Sequence, residues 1–171
     1  MLSETARAEI QAHMLKYPTK RSAIIPALHI AQREHGYVSP EAIHDVAAIL
    51  ELEPTEVRSV AGFYSLFYKE PVGKYAIQFC NDLPCALRGA DEMLKRVCAK
   101  LGIEPGGTTA DGMFTLEPAM CLAACDHAPM MQVRLDYFEN LTDQKVDQIL
   151  AELRAGTLVI DPAAVVKSGI A

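Results

Sequence analysis

The sequence predicts an α+β fold in which a helical bundle precedes a compact α/β unit. Two observations predict it. Through residue 70, apolar residues recur at helical spacing, with cap and proline signals between the runs. After Pro71-Val72-Gly73 the pattern changes to short β-rich runs alternating with helices. This divides the chain into a bundle at 1–72, an α/β domain at 73–156 and an apolar, unpatterned tail at 157–171. With 171 residues and 50% hydrophobic content, the chain can build one good core or two small ones.

The bundle is read from its start signals. Ser3 caps a first helix that ends before Pro18. Ser22 caps a second that runs to Gly36, with Ile24, Ala27, Leu28 and Ala31 as a stripe. Ile25 and Ile30 lie off that stripe, so burial on more than one side is expected. Pro26 falls in the first turn, where a missing N–H costs least. Ser39-Pro40-Glu41 starts a third helix, with an N-cap followed by proline at the first helical position. Ile43, Val46, Ala47 and Leu50 then repeat at helical spacing, and a fourth helix fits residues 55–65.

In the second unit, Tyr75–Phe79 is a short strand ending at Cys80. A helix is predicted from about 84 to 101, with Leu87, Ala90, Leu94, Val97, Cys98 and Leu101 on one face and Gly102 as its stop. Pro105-Gly106-Gly107 is a turn. Met113–Glu117, Met130–Leu135 and Tyr137–Glu139 read as strands, and Thr142 caps a last helix running to Arg154.

Charge and composition exclude several function classes. A net charge of −6 argues against a nucleic-acid backbone or an anionic membrane surface as partner. No apolar run approaches the ~20 residues that span a bilayer, so direct membrane insertion is not expected. The N-terminus lacks the pattern of a secretory signal, which predicts a cytoplasmic protein with reduced cysteines. Gly106-Gly107 belongs to no nucleotide-phosphate motif.

Four of the five cysteines form two tight pairs. Four residues separate Cys80 from Cys85 and three separate Cys121 from Cys125, with thirty-five between the pairs. In a reducing compartment such a set points to metal or redox chemistry before a disulfide framework. A [2Fe–2S] cluster needs four soft anionic ligands, two on each iron. Each pair lies beside predicted strands, whose ends can converge on one sheet edge. Cys85, at a helix start, gains from the positive end of the dipole. Leu83, Ala86, Leu122, Ala123 and Ala124 are expected to keep water away, and backbone N–H groups to be the main support of the negative cluster, with Arg88 as a cationic neighbour. A structural zinc takes four thiolates as well, although two-residue spacing is more typical of it. A thiol–disulfide enzyme would show C-x-x-C, which is absent.

The remaining candidates have simpler readings. Cys98, on an apolar helix face, reads as a buried inert thiol. His127, two residues after Cys125, reads as a surface residue, and His13, His29, His35 and His44 join no ligand motif. Phe63, Tyr64, Phe67 and Tyr68 read as core or subunit contact, since no basic patch accompanies them as a base-stacking platform would require.

The cysteine loops also carry a resemblance. Cys80, the run Cys85-Ala86-Leu87-Arg88-Gly89-Ala90, then Asp111-Gly112-Met113-Phe114, Cys121-Leu122-Ala123-Ala124-Cys125 and Ala128-Pro129 resemble the NuoE-type family of thioredoxin-like [2Fe–2S] subunits of complex I (NADH:quinone oxidoreductase). Pro54-Thr55-Glu56-Val57 and Phe63-Tyr64-Ser65 extend the likeness into the helical half, over roughly residues 5–155. The resemblance implies a helical bundle followed by a thioredoxin-like domain, with Cys80, Cys85, Cys121 and Cys125 as cluster ligands. It implies an electron-transfer subunit whose partner binds FMN and NAD(H), set among other iron–sulfur subunits and peripheral to the inner membrane. Similar modules serve NAD-linked formate dehydrogenases and hydrogenases. A free ferredoxin fits less well, because a simple carrier does not need the helical half. One departure is visible: the family usually has glycine where this chain has Ala123. Asp126, directly after a ligand, is expected to disfavour the more negative reduced state unless solvent screens it.

Overall fold

The computed structural model describes residues 1–160; the expected tail from 161 onward lies outside the described residues. The chain forms two compact units that part between Pro71 and Val72.

The first unit is built from four helices. In α1 (Glu4–Met14) the Ser3 hydroxyl accepts from the Ala6 N–H at 3.2 Å, and Ala6, Ile10 and His13 are buried at helical spacing. α2 (Ile24–His35) ends at Gly36, whose φ of 82° closes the last turn. α3 (Pro40–Leu50) starts as its sequence dictates: Ser39 Oγ accepts from the Ala42 N–H at 3.1 Å and Pro40 takes the first position. α4 (Pro54–Phe63) buries Val57 and Ala61. Helices of ten to twelve residues are marginal alone, so burial of Ile10, Ile24, Leu28, Ile30 and Leu50 supplies the stability. Each such side chain contributes about 1.5–3 kcal/mol.

Two expectations for α2 are corrected. Ser22 does not cap it; it lies in a 3-10 turn (Lys20–Ala23), and its hydroxyl meets the Thr19 hydroxyl at 2.9 Å. Ile25 is exposed while Ile30 is buried, so the second buried side is narrower than the apolar count implied. Gln32, nearly buried, fixes the segment after α4: its Nε2 donates to the Leu66 carbonyl at 2.9 Å and its Oε1 accepts from the Tyr68 N–H at 2.8 Å. The aromatic run is thereby split. Phe67 and Tyr68 are core, and Phe63 and Tyr64 are exposed.

The second unit is a four-stranded mixed sheet, ordered β2-β1-β3-β4. The central strand β1 (Tyr75–Cys80) is buried along its whole length, as expected of a strand covered on both faces. It runs parallel to β2 (Phe114–Ala119) and antiparallel to β3 (Met131–Val133), which pairs with β4 (Asp136–Phe138). β2 starts one residue later than predicted, and β3 and β4 are shorter or shifted. Gly73 is required at the entry to β1, because a Cβ there would lie 2.8 Å from the Phe114 carbonyl carbon.

The helix predicted over 84–101 is two helices. α5 (Leu83–Leu87) ends at Arg88, and Gly89, at φ 87°, starts α6 (Ala90–Leu101). Leu87 is therefore exposed rather than part of the apolar face. α6 and α7 (Asp143–Ala155) lie side by side, joined by Arg96–Asp143 and Lys100–Asp147 ion pairs. Both helices bury their apolar residues in one core with Phe79, Phe114, Leu116 and Met131. Thr142 caps α7 by accepting from the Lys145 N–H at 3.2 Å.

Candidate metal centre

The sheet order brings the cysteines together. Parallel strands leave a sheet at the same end, and β1 and β2 are in register there, Cys80 opposite Ala119. The antiparallel β3 enters at that end, with Met131 opposite Phe79. The chain after Cys80, the chain after Ala119 and the chain before Met131 thus share one edge. Backbone hydrogen bonds tie them: Cys80 N–H to the Met130 carbonyl and Asn81 N–H to the Ala119 carbonyl, both at 3.1 Å.

The four sulfurs come in two unlike pairs. Cys80, the last residue of β1, and Cys85, inside α5, are 2% and 1% exposed. Burial, then the neighbouring Cys80 thiol, push the Cys85 thiol up to about 11, with the Met130 backbone acting in the opposite direction. Cys121 and Cys125 are exposed, with sulfurs 3.3 Å apart. Their hydrogen bond, ahead of burial, raises the Cys125 thiol; the charges of Cys80 and Asp82 act in the same direction. Among the described residues, no three His, Cys, Asp or Glu side chains stand together as a site for one ion. The grouping is two and two.

The donor set fits a dinuclear cluster. Two thiolates on one tetrahedral metal at bonds of about 2.3 Å stand about 3.8 Å apart, so the Cys121–Cys125 pair needs to open only slightly. The expected apolar shield is only partial. Ala124 is buried, but Leu83 is 67% exposed and Ala123 faces solvent. Arg88 is exposed as well, so the cationic neighbour expected beside the cysteines stands in water. The dipole argument for Cys85 weakens too, because α5 is five residues long.

Backbone N–H support for the sulfurs, expected from the sequence, is visible at one of them. The Ala123 N–H donates to Cys121 Sγ at 3.4 Å, and the Met130 carbonyl accepts from the Cys80 N–H. Main-chain groups carry no residue signature, so which of them donates was not readable from the sequence. The other candidates lie where expected. Cys98 is buried, its thiol raised by burial and then by the Glu104 charge. His127 is half exposed and 3.3 Å from Asp126, itself 78% exposed. His13 is buried in the helical unit, and His29 packs on Phe67 with ring centroids 4.7 Å apart.

A mixed sheet with helices packed on it, and two cysteine pairs on the loops at one of its edges, is a thioredoxin-like architecture. The chain belongs to the thioredoxin-like [2Fe-2S] ferredoxin family, whose model matches residues 10–154. Among its relatives, an NADH-quinone oxidoreductase subunit of Rhizobium meliloti is 44% identical over 155 residues, covering 91% of this chain and 92% of that one. NADH-quinone oxidoreductase subunit 2 of Thermus thermophilus is 42% identical, covering 82% of this chain and 80% of that one. A third NADH-quinone oxidoreductase subunit, from Rickettsia felis, is 45% identical over 80% of this chain and 84% of its own length. A solved NAD+-reducing [NiFe]-hydrogenase shares the fold, with a TM-score of 0.69 and 24% identity over 79% of this chain; this chain spans 23% of that one.

Proposed function

We propose that the chain is the electron-transfer subunit of an NADH-oxidising complex of the NADH-quinone oxidoreductase kind, with Cys80, Cys85, Cys121 and Cys125 holding one [2Fe–2S] cluster. The observation that carries the reading is the convergence of two cysteine pairs, grouped two and two, on one edge of a thioredoxin-like sheet. When bound, such a cluster takes up and gives back single electrons. The chain's own residues fix where this happens. β1 and α5 hold one pair in the core; the 121–125 loop holds the other at the surface, where a partner protein has access. The N–H group of Ala123 offsets negative charge on Cys121.

The partner this reading calls for is a subunit carrying FMN and binding NAD(H), with further iron–sulfur subunits beyond it. Hydride chemistry belongs to the flavin, and this chain supplies position and electrostatics. No described helix is long and apolar enough to cross a membrane, in keeping with a peripheral place on the cytoplasmic side. The test is electron paramagnetic resonance of the anaerobically purified full chain before and after dithionite, with iron and acid-labile sulfide assayed on the same sample. A signal that appears only on reduction, with about two irons and two sulfides per chain, supports the reading. Zinc without sulfide and no reducible signal overturns it in favour of a structural site.

A further inference from the structure

Among the described residues, four other than glycine have a positive φ: Glu51, Ala123, Arg134 and Asn140. Asparagine is among the residues that enter this region most readily. Glu51 closes α3, its N–H donating to the last carbonyls of the helix. Arg134 turns the chain between β3 and β4 and donates to the carbonyls of Gly73 and Lys74. Ala123 differs from all three. Its methyl group makes no polar bond, it is exposed, and its φ of 65° falls midway between Cys121 and Cys125.

That turn does two things. It folds the three-residue spacer back so that the flanking sulfurs stand 3.3 Å apart, and it aims the Ala123 N–H at Cys121 Sγ, 3.4 Å away. The methyl group opposes both, because an L-residue with a Cβ disfavours left-handed backbone and glycine does not.

We propose that Ala123 is a positioning residue of the metal centre, whose strained backbone sets how tightly the exposed cysteine pair grips its iron and how well Cys121 carries negative charge. The proposal rests on the reading that the four cysteines hold a cluster. Without metal, an exposed spacer is free to relax the strain. With both sulfurs bound, it is not, so the strain opposes retention. The N–H bond to the thiolate favours the more negative, reduced state, because a donor lowers the cost of added charge at sulfur.

The test compares the full chain, anaerobically loaded, with Ala123→Gly and Ala123→Val. Two quantities are read: the rate of cluster loss to a chelator, followed by visible absorbance, and the reduction midpoint. Ala123→Gly keeps the N–H and relieves the strain, so loss should slow about fivefold with an unchanged midpoint. A β-branched residue is an outlier at positive φ, so Ala123→Val should lose the cluster faster and show a more negative midpoint. A loaded wild type whose Ala123→Gly variant loses the cluster no more slowly overturns this inference alone, whether or not the valine variant folds. A wild-type chain that binds no iron and sulfide overturns the functional reading along with it.

Discussion

The two cysteine pairs would serve one centre, yet they are made in different ways. Cys80 and Cys85 are rooted in a buried strand and a helix, and their positions follow from the core of the second unit. Cys121 and Cys125 stand on an exposed loop, held by one turn of left-handed backbone and one N–H to sulfur. One half is positioned by the same packing that folds the protein. The other is positioned locally and is open to a partner. Damage to the first half should therefore register in stability, whereas damage to the second should register in the metal centre alone.

The largest contrast is expected between Phe79→Ala and Met120→Ala. Phe79 is fully buried beside Cys80, and its loss should cost about 3–5 kcal/mol. Met120, 79% exposed beside Cys121, should change stability by no more than about 0.5 kcal/mol. Urea denaturation of the metal-free chain reads both, and equal losses would break the comparison. Next come the ligands themselves. Cys85→Ala and Cys121→Ala should each abolish cluster assembly, measured as iron and sulfide per chain. Only Cys85→Ala should also destabilise the metal-free chain, by about 1–2 kcal/mol, since it alone empties a buried site.

A smaller effect separates the two units by pH. Burial lowers the affinity of His13 and His29 for a proton below the ordinary value of 6.5, and the nearby Lys16 and Arg33 add to this at His13 while Glu9 opposes them. The unfolded chain then binds more protons than the folded one, so stability rises with pH. The contribution is complete above 6.5 and is lost as pH falls through the lower folded values. The protection factors of α1 and α2 amides, exchange rates corrected for their intrinsic pH dependence, should fall on going from neutral to mildly acidic pH. His13→Leu should flatten that response, because it removes a buried imidazole whose proton affinity folding lowers. An unaltered slope in that variant would remove His13 from the account. The smallest effect is expected at Asp126. Its carboxylate is 78% exposed beside His127, so solvent screens it from the centre. Asp126→Asn should raise the reduction midpoint slightly, and an unchanged midpoint would overturn a role for Asp126 in setting it.

What the sequence made legible follows the range of the forces involved. Ser3, Ser39 and Thr142 were readable as caps because a cap is made within three residues. The strand ending at Cys80 was readable because a short β-rich run stops there. The break at Gly89 was not, since Leu87, Ala90 and Leu94 keep helical spacing across it and only the αL turn shows that the register is lost. The same limit applies at the centre. The grouping of four cysteines was visible in their spacing, whereas which pair is buried depends on the sheet and helices around them. Ser22 failed as a cap for a local reason: a 3-10 turn took up its hydroxyl before α2 began.

The register of β1 against β2 has one more consequence. Cys85 and Cys121 bracket α6 and the whole of β2, thirty-five residues of chain. A cluster that grips both pairs would act as a covalent staple across that segment. By the chain-entropy relation for cross-links, closing a loop of this length removes about 4 kcal/mol of freedom from the unfolded chain. Iron delivery would then complete the folding of the second unit, and a chelator would act on it as a mild denaturant.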